Sequence, residues 1–254
     1  MRLAGLNCTY ELCPVEGRDD FLHTAKMLML DPRFVGANIT NPHKLAALEL
    51  TPGSLSQSAL VIGAVNTLWR SPQGWQGDNT DHAGFAQAAG LEALPPQDRR
   101  SAVVLGAGGT ARAAAYALVK AGFGRIQVLA RRLEQAQNLA RDLGPALEAG
   151  MLEPQAIAAA SAGARLVFNA LSDEPAAALA GQALATAPPQ GLALDSRYSP
   201  PQTGFMVSAK ARGWNSANGL GLLLEQGRRS FKLWFGREAA PLAELRAALP
   251  SEFR

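Results

Sequence analysis

The chain has 254 residues, 48% of them hydrophobic and 18% charged, with a formal charge of +3. That length accommodates one large domain or two smaller ones with buried cores, and the basic residues come in short pairs such as Arg131-Arg132 and Arg228-Arg229, which argues against a nucleic-acid partner. No apolar run reaches the roughly 18 residues of a membrane span and no signal-peptide core is found, so a cytoplasmic protein with no membrane partner is expected.

Taken in order, Met1 to Leu6 reads as the tail of a helix and Thr9 to Val15 as a short strand entering a loop. Cys8 and Cys13 have no second ligand pair nearby, and they are expected as free thiols in a reducing compartment. Asp20 to Leu30 gathers Phe21, Leu22, Ala25, Leu28 and Met29 on one helical face and stops at Asp31-Pro32. Val35 to Thr40 is a second strand, with Asn41-Pro42-His43-Lys44 at the mouth of another helix, a position where chemistry often sits. A polar loop around Thr51 to Ser58 leads to Ile62 to Trp69, predicted as a strand that folds back at Ser71-Pro72-Gln73-Gly74 into a hairpin. Gly77-Asp78-Asn79-Thr80-Asp81 follows, then a helix from near Ala83 to about Leu91 and a linker at Pro95 to Arg100.

From Ser101 the pattern alternates. Strands are predicted at Val103–Leu105, Ile126–Leu129, Leu166–Asn169 and Leu192–Leu194, with helices at Thr110–Ala121 and Glu134–Leu143. Such alternation means a parallel sheet covered by helices. Ala176 to Pro189 reads as a surface helix and loop, and Gly219 to Phe235 as a long helix.

Val103-Val104-Leu105-Gly106-Ala107-Gly108-Gly109-Thr110 is a strand, a glycine turn and a helix start. Gly106 can take backbone angles closed to other residues, Gly108 leaves room for a pyrophosphate, and the helix offers its positive dipole end. A tight turn that merely packs would also use glycine; the flanking strand and helix favour a dinucleotide. At the end of the next strand, Ala130-Arg131-Arg132 brings two guanidiniums and no carboxylate before Glu134. This favours a 2′-phosphate and hence NADP; a solvated strand end is the plain alternative, and Glu134 leaves a route to NAD.

Lys44 and Asp81 close two turns rich in hydrogen-bonding residues, and Asn38, Thr40, Asn66 and Asn79 stand at the ends of apolar strands, able to fix the hydroxyls of a polyol. A lysine near a carboxylate and a carbonyl substrate can donate the proton that a hydride reduction needs. His43 is expected to pack or face solvent, and three histidines give no metal cluster.

The collinear segments Asn38-Ile39-Thr40-x-Pro42-x-Lys44, Gly63-Ala64-Val65-Asn66-Thr67, Asn79-Thr80-Asp81-x-x-Gly84, Gly106-Ala107-Gly108-Gly109-x-Ala111-Arg112, Asn169-Ala170, Asp195-x-x-Tyr198-x-Pro200 and Gly219-x-Gly221-x-Leu223-x-x-Gln226 resemble the shikimate dehydrogenase family. The resemblance implies reversible NADP-dependent reduction of 3-dehydroshikimate to shikimate, on the way to chorismate and the aromatic amino acids. It implies an α/β fold of two domains: a substrate-binding α/β domain from residues 1–82 and 219–254, and a Rossmann-type dinucleotide-binding domain from residues 83–218. Lys44 and Asp81 match the catalytic pair, the lysine being acid in reduction and base in oxidation. Thr40, Asn66, Tyr198 and Gln226 match substrate contacts supported by Asn38. Gly106, Ala107, Gly108, Gly109, Thr110, Ala130, Arg131, Arg132, Asn169, Ser196 and Gly219 match positions near the cofactor. The small-molecule substrate would be bound by a monomer or a homodimer.

Three departures from the family stand out. The family opens with a strand and a Ser-x-Ser segment that holds the substrate carboxylate, whereas no serine here precedes Ser54, so a true N-terminus missing upstream, for example through a start codon placed too late, is expected. Ala130 replaces the usual asparagine, and Leu171 the usual threonine. Two other functions compete: a quinate/shikimate or related polyol-acid dehydrogenase, and an inactive dinucleotide-binding paralogue.

Overall fold

The computed structural model describes residues 5–184, 191–250 and 253. Two compact units divide the chain, one formed by Met1–Thr80 and Gln226–Leu249, the other by Asp81–Glu225 and Pro250–Arg254.

The first unit is built on a small antiparallel sheet. Its strands β1 (Gly36–Asn38), β2 (Thr67–Ser71) and β3 (Gly74–Asp78) lie in the order β1-β2-β3. The β2–β3 hairpin turns at Pro72-Gln73, with Ser71 opposite Gly74. Helix α1 (Arg18–Leu30) buries Phe21, Leu22 and Ala25 in a core shared with Ile39, Ala47, Leu50, Ala59, Val65 and Leu68. The apolar face read from the sequence therefore packs as expected, apart from Leu28 at its exposed margin.

Gln57–Ile62 is helix α2, where a loop and the start of a strand were expected. Ser56 caps it by accepting a hydrogen bond from the Ala59 N–H at 3.1 Å, and Gly63 ends it at φ +68°. This cap and glycine stop outweigh the β-branched Val61-Ile62, so the strand begins only at Thr67. Thr9 to Val15, expected as a strand, joins no sheet. After Lys44 the chain makes only a turn and a short 3₁₀ helix, Ala46–Leu50.

The second unit opens with α3 (Asp81–Ala88) and contains a six-stranded parallel sheet. Its strands are β4 (Ser101–Leu105), β5 (Arg125–Ala130), β6 (Leu147–Met151), β7 (Leu166–Asn169), β8 (Leu192–Asp195) and β9 (Asn215–Ala217). They lie in the order β6-β5-β4-β7-β8-β9. Counted from β4 this is the doubly wound order, in which β4 and β7 flank the point where the winding reverses and ligands bind. Helices α4 (Gly109–Lys120), α5 (Leu133–Leu143), α6 (Pro154–Ser161), α7 (Glu174–Ala183) and α8 (Gly204–Ala211) connect the strands. One core cluster joins Val103, Leu105, Leu129, Val167 and Ala193 of the sheet to Ile157, Phe205 and Trp214.

Strands β6 and β9 were not expected. β6 reads Leu-Glu-Ala-Gly-Met, a sequence with no β-branched residue, and its extended form comes from pairing residue for residue with β5. The end of the chain forms α9 (Leu220–Phe235) and α10 (Leu242–Ala247). Of the segments read from the sequence, Met1 to Ala4 and Ala185 to Pro189 lie outside the described residues. None of the described helices is long and apolar enough to cross a membrane.

Candidate functional site

In the first unit a buried cluster of amides and hydroxyls forms around Asn66. Its Nδ2 donates to Thr80 Oγ1 at 3.0 Å and to Gln226 Oε1 at 3.2 Å. Its Oδ1 accepts from the Thr80 N–H at 2.8 Å and from Thr67 Oγ1 at 2.9 Å. Asn38 Nδ2 donates to Ser230 Oγ at 2.8 Å and to Thr67 Oγ1 at 3.2 Å, while its Oδ1 accepts from the Tyr10 hydroxyl at 3.1 Å. Ser230 Oγ in turn donates to Gln226 O one helical turn earlier on α9. The sequence signal for Asn38, Asn66 and Gln226 therefore marks one network. Thr67, Thr80 and Ser230 complete it without having been singled out: the two threonines lie inside the quoted segments, whereas Ser230 is reached only through the fold.

Asn66 is 1% exposed, so the visible task of its side chain is to fix Thr80 and Gln226. Thr40 is exposed and opens the turn that carries His43 and Lys44, with the His43 N–H donating to Thr40 O. Lys44 is 8% exposed, and its carbonyl accepts from the Val65 N–H at 2.8 Å, which ties the lysine turn to the segment leading into Asn66. His43 packs: its ring stacks on Phe21 with centroids 4.6 Å apart, and Nε2 lies 2.9 Å from Val15 O.

In the second unit, Gly106 takes φ +109° at the end of β4, a conformation that L side chains rarely adopt. Ala107 follows, and Gly108, at the N-cap of α4, is exposed. A Cβ built on Gly108 would meet nothing within 4 Å, so it would enter open space at the positive end of the helix dipole. Gly109 and Thr110 form the first turn of α4. The residues present thus fit a phosphate of a dinucleotide. At the end of β5, Ala130 is buried, while Arg131 and Arg132 are exposed. Arg131 Nη1 lies 3.0 Å from Asp173 Oδ2.

Asp81 is the first residue of α3 and is buried. Asn169, expected beside the cofactor, is fully buried and acts as a strut. Its Nδ2 donates to Asp195 Oδ1 at 3.1 Å, and its Oδ1 accepts from the Leu171 N–H at 3.2 Å. Asp195 also accepts from the Arg197 N–H at 3.0 Å and from Thr203 Oγ1 at 2.6 Å. Burial pushes the Asp195 carboxyl above its ordinary pKa, against the pull of those three donors, which favour the charged form. One carboxylate therefore ties together both ends of the loop that carries Ser196 and Tyr198. Tyr198 is 37% exposed, with its ring 6.1 Å from that of Phe253. Gly219 donates its N–H to Arg197 O at 2.9 Å, and a Cβ there would run into the Ser196 carbonyl. That glycine is required by close backbone approach. Among the described residues no group of acidic, histidine or cysteine side chains could hold a metal ion.

Comparison with known proteins bears on all of these segments. The shikimate dehydrogenase substrate binding domain matches residues 1–68, the shikimate / quinate 5-dehydrogenase family residues 91–183, and the shikimate 5'-dehydrogenase C-terminal domain residues 219–249. The shikimate dehydrogenase (NADP(+)) of Nitrobacter hamburgensis is 36% identical over 263 aligned positions, covering 100% of this chain and 87% of its own. The crystal structure of a shikimate 5-dehydrogenase from Mycobacterium fortuitum superposes with a TM-score of 0.74 at 34% identity, covering 92% of this chain and 83% of its own. That of the Thermus thermophilus enzyme in complex with NADP(H) and shikimate superposes with a TM-score of 0.71 at 34% identity, covering 88% and 80%. With correspondence of this extent, the doubly wound sheet and the Asn66 network in place, the chain belongs to the shikimate dehydrogenase family.

Proposed function

We propose that this protein is an NADP-dependent shikimate dehydrogenase that reversibly reduces 3-dehydroshikimate to shikimate in the cytoplasm, within the route to chorismate and the aromatic amino acids. The observation that carries the proposal is the correspondence, along the whole chain, with relatives named shikimate dehydrogenase (NADP(+)). Residues 1–82 and 219–254 form the substrate domain, and residues 83–218 the cofactor domain.

Reduction of a ring ketone adds a hydride to the carbonyl carbon and a proton to its oxygen. NADPH, when bound, supplies the hydride. The Lys44 ammonium gives its proton to the carbonyl oxygen, and in the oxidative direction the neutral amine takes that proton back. Asp81 is the second member of the catalytic pair. Asn38, Thr40, Asn66, Tyr198 and Gln226 orient the polyol ring, an assignment supported by the way Asn66 gathers Thr80 and Gln226. Gly106, Ala107, Gly108, Gly109 and Thr110 cradle the pyrophosphate, and Ala130, Arg131 and Arg132 lie at the adenosine 2′-phosphate. Ser196 and Gly219 line the cofactor side, and Asn169 holds that wall through Asp195.

The test is a steady-state assay with shikimate and quinate, each with NADP+ and NAD+. Shikimate with NADP+ is expected to give the highest kcat/KM. Faster turnover of quinate would shift the substrate, and a chain that binds NADP+ but turns over neither acid would overturn the enzymatic reading.

A further inference from the structure

On the rim of the glycine turn, Arg131 and Asp173 are paired across the sheet. Arg131 directly follows β5, and Asp173 lies in the loop between β7 and α7. β4 runs between β5 and β7 with all three strands parallel, so the Arg131–Asp173 ion pair, 3.0 Å long, crosses the carboxyl end of β4 where the glycine turn begins. The β7–α7 loop is also close to that turn: a Cβ on Gly106 would stand 3.5 Å from Ala170 O.

The two partners are held unequally. Asp173 Oδ1 accepts from the Ala176 N–H at 2.9 Å, as an N-cap of α7 does, and Oδ2 is buried and makes no hydrogen bond, its contact being the charge of Arg131 at 3.0 Å. The Arg131 side chain is 69% exposed. An ion pair so open to water contributes little to stability. Its effect lies in where it puts the guanidinium. Oδ2 stands against Nη1, and a guanidinium carries five N–H donors in a rigid fork, so donors are left over for a phosphate.

We propose that Asp173 is a positioning residue. It holds Arg131 over the glycine turn, so that the guanidinium meets the 2′-phosphate of NADP already oriented, and it thereby strengthens the preference for NADP over NAD. This rests on the assignment of Arg131 to the 2′-phosphate. A fixed side chain has less rotamer freedom to lose on binding, which sets the expected gain at about threefold to tenfold. The carboxylate's repulsion of the phosphate is reduced because its charge is balanced by Arg131 itself.

The test titrates adenosine 2′,5′-bisphosphate and AMP, which lacks the 2′-phosphate, into the wild type and the variants Asp173→Asn, Arg131→Ala and both together. Asparagine caps a helix as well as aspartate, so α7 keeps its start, and melting temperature verifies this. Asp173→Asn is expected to weaken the bisphosphate about threefold to tenfold while AMP binds as in the wild type. Arg131→Ala should weaken the bisphosphate further, with the double variant no worse than Arg131→Ala alone. Unchanged bisphosphate binding in Asp173→Asn overturns the proposal. So does tighter binding, which would make the carboxylate a competitor of the phosphate, and so does equal loss of both ligands, which would make it structural. If Arg131→Ala binds the bisphosphate as tightly as the wild type, the assignment of Arg131 itself has failed.

Discussion

Asn66 and Thr80 bind each other reciprocally: the Asn66 amide donates to Thr80 Oγ1 at 3.0 Å while its carbonyl accepts the Thr80 N–H at 2.8 Å. Both residues are buried, so a missing partner would leave polar groups with neither protein nor water. Replacing Asn66 with alanine is expected to destabilise the protein by about 2 to 4 kcal/mol. Urea unfolding checks this, and a loss within error of zero would mean that the Thr80 N–H finds another acceptor.

Lys44→Ala should lower kcat roughly a hundredfold to ten-thousandfold, the usual worth of a positioned acid, while NADPH binding is retained. Turnover is followed with saturating shikimate, and binding by NADPH fluorescence. Unaltered turnover removes Lys44 from the mechanism.

Asp195 makes a prediction about pH. Its folded-state pKa is raised, chiefly by burial, above the ordinary 3.8. The folded state therefore binds the proton more tightly than the unfolded chain. This contribution is fully present below pH 3.8 and is lost as pH rises through the folded-state value. Compared with Asp195→Asn, the wild type should lose relative stability as pH rises through that window. Parallel stability curves for the two proteins would show that Asp195 is not desolvated.

Two glycines near and within α9 should respond oppositely to alanine. At Gly219 the new Cβ would strike the Ser196 carbonyl, and a backbone atom cannot swing aside, so a loss of about 3 kcal/mol is expected. At Gly227, inside the helix, a Cβ meets nothing within 4 Å, and alanine should add about 0.5 to 1 kcal/mol. Melting temperatures of the two variants should bracket the wild type; a stabilised Gly219→Ala would refute the close approach.

The parts legible in the sequence are those where local signals agree. The run from Val103 to Arg112 gave strand, turn and helix within one residue or two of their ends, because apolar run, glycines and alanine-rich periodicity fall in the same places. Where local preference and tertiary pairing disagree, the sequence misleads: β6 is extended because β5 pairs with it, not because Leu-Glu-Ala-Gly-Met favours a strand. Helix α2 was legible and overlooked, since Ser56 and Gly63 are ordinary start and stop signals around Val61-Ile62. Within the Asn66 network, Ser230 lies 163 residues from Thr67 and meets it at 2.8 Å only once α9 has folded against the small sheet. At Asn169 the sequence shows a polar residue at a strand end but not its partners within the protein, Asp195 and Leu171, which only the fold brings to it.

The interrupted make-up of the first unit has a consequence during synthesis. Its residues up to Thr80 leave the ribosome well before Gln226 and Ser230, with Asp81–Glu225 of the second unit translated in between. At about 5 to 20 residues per second, the nascent N-terminal segment waits on the order of ten seconds or more before α9 emerges. The second unit can close its own core in that interval, whereas the half-buried Asn38 amide and the buried Thr67 hydroxyl acquire Ser230 only at the end. A chaperone that shelters the growing polypeptide would therefore be needed most by its earliest-made part.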